Sequence, residues 1–341
     1  MNNSIILSFI LPCYNVSKYI EICLNSIFIQ NFDEDEYEVI CVNDCSTDNT
    51  EEIIKKLQND HKNLVLVNQP QNKQQGAARN EGLRTAKGKF VWFIDADDYI
   101  QPDVLKDICS LAETNQLDIL HFNAQRVDDE GNFQPYYASF PFDTDVITGI
   151  EYYEIDLPYW RRLIETWCRI YNREFLLRNN LFFPEGIYFE DAVYTVRSVM
   201  LSKRFKYLNK IVYNYRMNQD SSTMTKDISV NGKKMADLIR FHIDCISEME
   251  NHELNQGKKK EITGFYLNLF LRNRKNVFYL TNRERSIFYN RAKNIKFQKL
   301  DKFISPSKYL LYKNTSFIKL LLNLISPPFL VFRKLKRKLI A

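Results

Sequence analysis

The stretch "KFVWFIDADD", residues 89–98, decides how this chain is read. An apolar and aromatic run of the kind that forms a buried strand leads straight into three carboxylates within four positions. Like charges this close repel one another, and apolar surroundings penalise their charged forms. In an extended segment, residues two apart point the same way, so Asp95 and Asp97 can converge on one object. Oxygen donors with no His or Cys beside them suit a hard divalent cation, Mg²⁺ or Mn²⁺, which would offset the repulsion. One or two carboxylates and a diphosphate can hold such an ion while water fills the rest of its shell. Taken alone, the cluster has a plainer reading: Asp97 or Asp98 caps a helix that starts near Pro102.

Working outward, the first 125 residues alternate between two textures. "IILSFILP", "YEVICVN" and "NLVLVN" are short β-rich apolar runs like the one before Asp95. Between them lie helical spacings, Ile20, Leu24, Ile27 and Phe28, then Ile53, Ile54 and Leu57, the latter introduced by an N-cap signature at Asp48 and Glu51. Strand and helix in alternation, with continuously apolar strands, predict an α/β fold whose mostly parallel central sheet is flanked by helices. Ligands bind such sheets at the carboxyl ends of the strands, where Asp44 and Asp95 both fall. From 126 to 225 the chain is rich in aromatic residues and prolines, as in "QPYYASFPF" and "GIEYYEIDLPYW", which predicts irregular strands and long loops. "ETWCRIYNREFLLRNN", 165–180, reads as a helix. Beyond residue 232 two apolar stripes predict a helical region.

Composition narrows the function classes. The 341 residues include 47 Lys and Arg against 42 Asp and Glu, a net charge of +5. Nine of the basic residues lie in 302–341, which has no acid, so the first 301 residues carry −4, the difference between +5 and nine. An acidic body speaks against nucleic-acid binding. Seven scattered cysteines without a CxxC pair and four isolated histidines give no zinc spacing and fit a reducing compartment. The opening residues lack a signal-peptide pattern, so a cytoplasmic location is expected.

Four segments carry a resemblance: "FILPCYN" (9–15), "VICVNDCSTDNT" (39–50), "GAARNEGLRTAKGKFVWFIDADD" (76–98) and "IYFEDAVY" (187–194). Together they resemble the family 2 glycosyltransferases, nucleotide-sugar enzymes of the GT-A fold, over roughly residues 5–225. The most specific part is Gly-x-x-Arg-Asn-x-Gly (76–82) running into Asp-x-Asp-Asp (95–98). The resemblance implies a glycosyltransferase domain at 1–225, with a nucleotide-sugar half (1–125) and an acceptor and catalytic half (126–225). A helical extension (226–300) and a basic tail (301–341) would follow.

By the same resemblance Pro12, Tyr14 and Asn15 border the nucleotide, and Asp44 accepts from the uracil ring. Asn43 stands where an acid is common and would bond a ribose hydroxyl. Arg79 would reach the nucleotide and its phosphates. Asp95 would lie on the ribose side with Ala96 beside it, and Asp97, helped by Asp95, would bind Mg²⁺ or Mn²⁺. Glu190 and Asp191 match the family's acidic pair, with Asp191 as the general base. Trp167 and Arg169 would face the acceptor, although Cys168 stands where Asn is usual. Arg216, with Ser221 or Ser222, would meet the diphosphate.

The implied activity is inverting transfer of a sugar, from a donor expected to be UDP-linked, to a glycan or lipid-linked acceptor in bacterial surface polysaccharide synthesis. The competing readings are a nucleotide-sugar or glycan-binding protein without turnover, and a sugar nucleotidyltransferase. "LPCYNVSKY" lacks the glycine-rich phosphate loop that the latter needs. The tail "SFIKLLLNLISPPFLVFRKLKRKLIA", 316–341, is basic, amphipathic and too short to span a bilayer. It predicts a peripheral element on an anionic membrane, at the inner face of the cell membrane.

Overall fold

The computed structural model describes residues 5–128, 130–136, 141–156, 165–217 and Asp237. Ser221, Ser222, the extension expected after residue 226 and the basic tail lie outside the described residues. The elements run in chain order β1 (Leu7–Cys13), α1 (Ile20–Phe28), β2 (Tyr37–Asn43), α2 (Thr50–Leu57), β3 (Leu64–Asn68), α3 (Gln74–Thr85), β4 (Phe90–Phe93), β5 (Tyr99–Ile100), α4 (Leu105–Thr114), β6 (Ile119–Val127), β7 (Phe133–Pro135), α5 (Gly149–Asp156), β8 (Arg169–Asn172), α6 (Arg173–Arg178), α7 (Glu190–Leu201) and β9 (Phe205–Arg216).

These strands form one sheet in the order β3-β2-β1-β4-β8-β6-β9-β5, with β7 paired to β6. The first four are parallel, and the uninterrupted apolar runs of β1, β2 and β4 are buried on both faces, with β3 at the edge. The second half differs: β8 is antiparallel to both β4 and β6, and β5 is antiparallel to β9. The sheet is therefore mixed, parallel on the side of the first 125 residues and largely antiparallel beyond β4.

One expected element is replaced. The helix read over 165–180 is a strand, β8, followed by the short helix α6. Trp167, Ile170 and Tyr171 are buried at helical spacing, but that spacing serves a strand wedged between β4 and β6. Asn172 ends the strand and caps α6, its side chain accepting the Phe175 N–H at 2.9 Å. Nor does a helix start at Pro102. The chain after Asp98 first makes β5, and α4 begins at Leu105 without a side-chain cap.

Aromatic packing joins the halves. Trp92 of β4 packs on Phe9 and Phe122, with ring centroids 5.6 and 5.1 Å away, and its Nε1–H donates to the Trp167 carbonyl at 2.7 Å. Helix α3 lies close on the sheet because Gly82 faces the Ile10 side chain, where a Cβ would collide. The loops at the carboxyl ends of β1 and β2 are stitched to each other. Asn15 accepts the Thr47 N–H at 2.8 Å, the Val16 N–H donates to Thr50 Oγ1 at 2.9 Å, and Asp48 accepts from the Ser17 N–H at 3.0 Å and the Thr50 hydroxyl at 2.6 Å.

Asp48 gives this stitching a pH signature. Burial works against its charge, yet the bonds from Ser17 and Thr50 hold its carboxyl down at about 2, below the ordinary 3.8. A folded-state value below the unfolded one stabilises the protein above the unfolded pKa, and that contribution is lost as pH falls through the folded pKa. Asp48→Ala should therefore cost ~1 kcal/mol at neutral pH in urea unfolding, and the gap to wild type should close between about pH 4 and 2. A gap that does not change with pH would contradict the assignment.

Candidate active site

Three carboxylates follow β4, and each is handled differently. Asp95 is paired with Arg79, whose NH2 donates to its Oδ1 at 2.7 Å. Asp98 is buried behind the turn: its Oδ2 accepts the Tyr213 hydroxyl at 2.7 Å and its Oδ1 the Arg216 backbone N–H at 2.7 Å. Burial, then the neighbouring Asp97 and Asp95, push its carboxyl well above the usual range. Asp97 lies between them, half-buried, its backbone carbonyl accepting from Arg216 Nε at 3.1 Å. Ala96 is buried, and the Asp95 N–H donates to the Tyr213 hydroxyl at 3.2 Å, so β9 straps the turn from behind.

Arg79 does more than pair with Asp95. Its NH1 donates to Glu190 Oε1 at 2.6 Å, so one guanidinium, 2% exposed, joins the end of β4 to the first residue of α7. Burial disfavours its charge, but Asp95, Glu190 and Asp191 together raise its pKa above the ordinary arginine value. The guanidinium lies 5.3 Å from the Phe183 ring centroid. Gly76, one turn earlier on α3, allows the approach of α7: a Cβ there would lie 2.6 Å from the Pro184 carbonyl oxygen and 3.2 Å from Glu190 Cγ. Burial raises the pKa of Glu190 against the pull of Arg79. Asp191, half-buried beside it, is raised well above the usual carboxylate range by burial and then by Glu190, with Arg79 opposing. A carboxylate with raised basicity at a site mouth has the chemistry of a general base.

The oxygen donors around the acidic turn also define what a cation would meet. Among the described residues no cluster of three or more His, Cys, Asp or Glu converges as a self-sufficient metal site. Asp97 and the second oxygen of Asp95 are the groups here that could help to hold an ion whose remaining shell came from a diphosphate and water.

The family model for glycosyl transferase family 2 matches residues 8–183, just over half of the 341 residues. The chain belongs to glycosyl transferase family 2. The uncharacterized glycosyltransferase YibD of Escherichia coli is 29% identical over 263 residues, 76% of this chain and 74% of that protein. The poly(ribitol-phosphate) beta-N-acetylglucosaminyltransferase TarS of Staphylococcus aureus is 29% identical over 264 residues, 76% of this chain but only 43% of TarS. The chain thus spans less than half the length of TarS. A crystal structure of TarS residues 1–349 in complex with UDP-GlcNAc matches 92% of this chain and 87% of that one, with a TM-score of 0.72 and 26% identity. The glycosyltransferase accordingly has the GT-A fold: a mixed, curled sheet flanked by helices.

Several side chains of this glycosyltransferase named in the sequence reading make contacts within the fold. Arg79 has two of its nitrogens bonded to protein carboxylates and is buried. Arg169 is fully buried, its NH1 donating to the Glu165 carbonyl. Trp167 is 4% exposed and stacks on Tyr213 at 4.5 Å and 14°, which makes it a wall between the acidic turn and the sheet. Asn43 donates to Asn68 Oδ1 at 2.8 Å and accepts the Ser46 N–H at 3.0 Å, so its amide is spent within the fold.

The remaining candidates surround the strand ends. Pro12 is buried at the end of β1, whereas Tyr14 is 48% exposed beyond it. Asp44 accepts the backbone N–H groups of Lys73 and Gln74 at 2.7 and 2.8 Å, fixing the start of α3. Its carboxylate retains lone pairs for a further donor. Arg216 sits over the rings of Tyr19 and Tyr99, 5.6 and 5.2 Å from their centroids, next to the Asp97 carbonyl. The sequence reading missed Asn80, Tyr213 and Glu165. Only Asn80 had a signal, its place in the Arg-Asn pair.

Removing Arg79 would leave Glu190 buried and unpaired. Arg79→Met should lower stability by about 3–5 kcal/mol, the cost of stripping a buried ion pair of one partner. Adding Glu190→Gln should restore part of the loss, and independent, additive effects in urea unfolding would show that the contact is not formed.

Proposed function

We propose that this glycosyltransferase moves a sugar, hexosyl or N-acetylhexosaminyl, from a UDP-linked donor to a hydroxyl of a glycan or lipid-linked acceptor, with inversion at the anomeric carbon. The observation that carries this reading is the arrangement around Arg79: an acidic strand end on one side and, on the other, Asp191 with raised basicity. The UDP and UDP-GlcNAc complexes of TarS support a UDP-linked donor. TarS and the poly(ribitol-phosphate) beta-glucosyltransferase from Bacillus spizizenii act, by their names, on poly(ribitol-phosphate), and support a polymeric acceptor with hydroxyl groups. The name of TarS also fits inversion, since the UDP-GlcNAc it binds carries an α-linked sugar and TarS is a beta-transferase.

In this reading the nucleotide lies across the ends of β1 and β2, with Pro12, Tyr14 and Asn15 on one side and Asp44 below. Asp97, with Asp95, would hold Mg²⁺ or Mn²⁺, which when bound would supply stabilisation of the charge that develops on the leaving UDP. Arg216 stands next to that position and adds positive charge. Asp191 takes the proton of the acceptor hydroxyl as it attacks, and Glu190, fixed by Arg79, keeps Asp191 in place. One displacement without a glycosyl-enzyme intermediate inverts the anomer. No helix among the described residues is long and apolar enough to cross a membrane. The basic tail is the part of the chain we assign to an anionic membrane surface, where a lipid-linked acceptor would be presented at the cytoplasmic face.

Two substitutions separate the roles. Asp191→Asn is nearly isosteric and should keep UDP affinity while transfer falls by ~10²-fold or more. Unchanged turnover would remove Asp191 from the chemistry. Asp97→Ala should abolish Mn²⁺-dependent UDP binding in isothermal titration, and EDTA should do the same to the wild type. Full activity in EDTA would mean that Arg216, rather than a cation, neutralises the leaving group.

A further inference from the structure

Arg79 and Asn80 are consecutive on α3, and both reach across more than a hundred residues to the same short segment. Asn80 is 1% exposed. Its side-chain oxygen accepts the Phe183 N–H at 2.8 Å, while its amide donates to the Phe183 carbonyl at 2.9 Å and to Glu185 Oε1 at 2.9 Å. Arg79 holds Glu190, at the other end of that segment, at 2.6 Å. Residues 184–189 are therefore a short loop pinned at both ends by neighbouring side chains of one helix. The loop needs such anchors. It contains left-handed backbone at Gly186 (φ 72°) and at Phe189 (φ 63°), and the second is an unfavourable conformation for a bulky side chain. Phe183 at the first anchor is itself fixed, stacked on Tyr194 of α7 at 3.8 Å and edge-on to Phe93 of β4 at 4.9 Å.

The geometry points to Asn80 as a positioning residue for the acceptor-activating carboxylate: by clamping Phe183 and Glu185 it sets the path of 184–189 and thereby the place of Asp191. Asn80 makes no bond to the strand ends where the donor is read, so it acts on the transfer step and leaves donor binding alone. This rests on Asp191 being the base. A position fixed by backbone bonds at one anchor and a guanidinium at the other is sensitive to loss of either, because displacing a reacting group by about 1 Å can cost on the order of 10²-fold in rate.

The test uses full-length protein carrying Asn80→Ala or Asn80→Asp; the latter keeps an acceptor for the Phe183 N–H but no donor. Three readouts are taken: UDP affinity with Mn²⁺, donor KM and kcat, and amide hydrogen exchange across 183–192. Both variants should bind UDP within about twofold of wild type and show kcat lowered by about 10- to 100-fold at unchanged donor KM. Exchange at 186–192 should be at least about tenfold faster, as local opening predicts. UDP affinity falling in step with kcat would reveal a general folding defect and overturn the proposal, as would kcat within about threefold of wild type. If Asn80→Ala does not fold, Glu185→Ala removes one of the anchor bonds from an exposed side chain. A severalfold lower kcat at unchanged UDP affinity then supports the proposal, and an unchanged kcat overturns it. Should the wild type transfer sugar from no nucleotide donor, the functional reading fails. Exchange then still decides the anchoring: faster opening supports it and unchanged exchange overturns it.

Discussion

A single buried cation, Arg79, shared between Asp95 and Glu190, is the contact on which the rest of this site depends. A guanidinium with almost no solvent exposure is tolerated only when its charge is matched, and here two carboxylates from opposite halves of the domain match it. The reciprocal holds as well: Glu190 is buried, and without Arg79 its charge would be left unpaired beside Asp95 and Asp191. Because Asp95 closes β4 and Glu190 opens α7, this ion pair fixes the distance between the strand ends and the acidic pair of α7. Gly76 makes that distance short by letting α3 and the start of α7 touch.

The crowding of acids after β4 resolves once each has its own surroundings. Asp95 is neutralised by Arg79, and Asp98 is turned inward onto Tyr213 and the backbone of Arg216, where burial favours its protonated form. Asp97 lies half-buried between them, and in the proposed reading it meets the cation. The repulsion apparent in the sequence is thus relieved at Asp95 by a guanidinium and at Asp98 by a hydroxyl and a backbone N–H. The turn is held from behind by β9, a strand of the second half. The acidic turn and its surroundings are consequently built from both sides of the sheet.

The parallel side of the sheet was legible because its strands are continuous apolar runs and its first two helices carry their stripes at helical spacing; β1 to β4, α1 and α2 follow directly. The stretch from 165 to 180 misled because Trp167, Ile170, Phe175 and Leu176 fit a helical stripe as well as a strand followed by a helix. What decides between them is pairing with β4 and β6, which local periodicity does not encode. The positions of site residues were legible as a constellation, but their partners were not. Arg79 meets Glu190 across 111 residues, and Asp98 meets Tyr213 across 115. An arginine in a motif looks the same whether it points to a phosphate or to a carboxylate. Arg169 shows the same limit, since nothing in its neighbours announces that β8 is buried on both faces.

The account makes one chemical demand above all: that a hydroxyl, deprotonated by Asp191, displaces UDP from the face opposite the leaving group. Proton NMR of the first product, recorded with wild-type protein, Mn²⁺ and an α-linked UDP-sugar, tests it directly, with a poly(ribitol phosphate) acceptor or with water as the slow substitute. The account predicts release of UDP and a β-configured anomeric signal before any mutarotation. An α-configured first product, or no cleavage of any UDP-sugar, would contradict it.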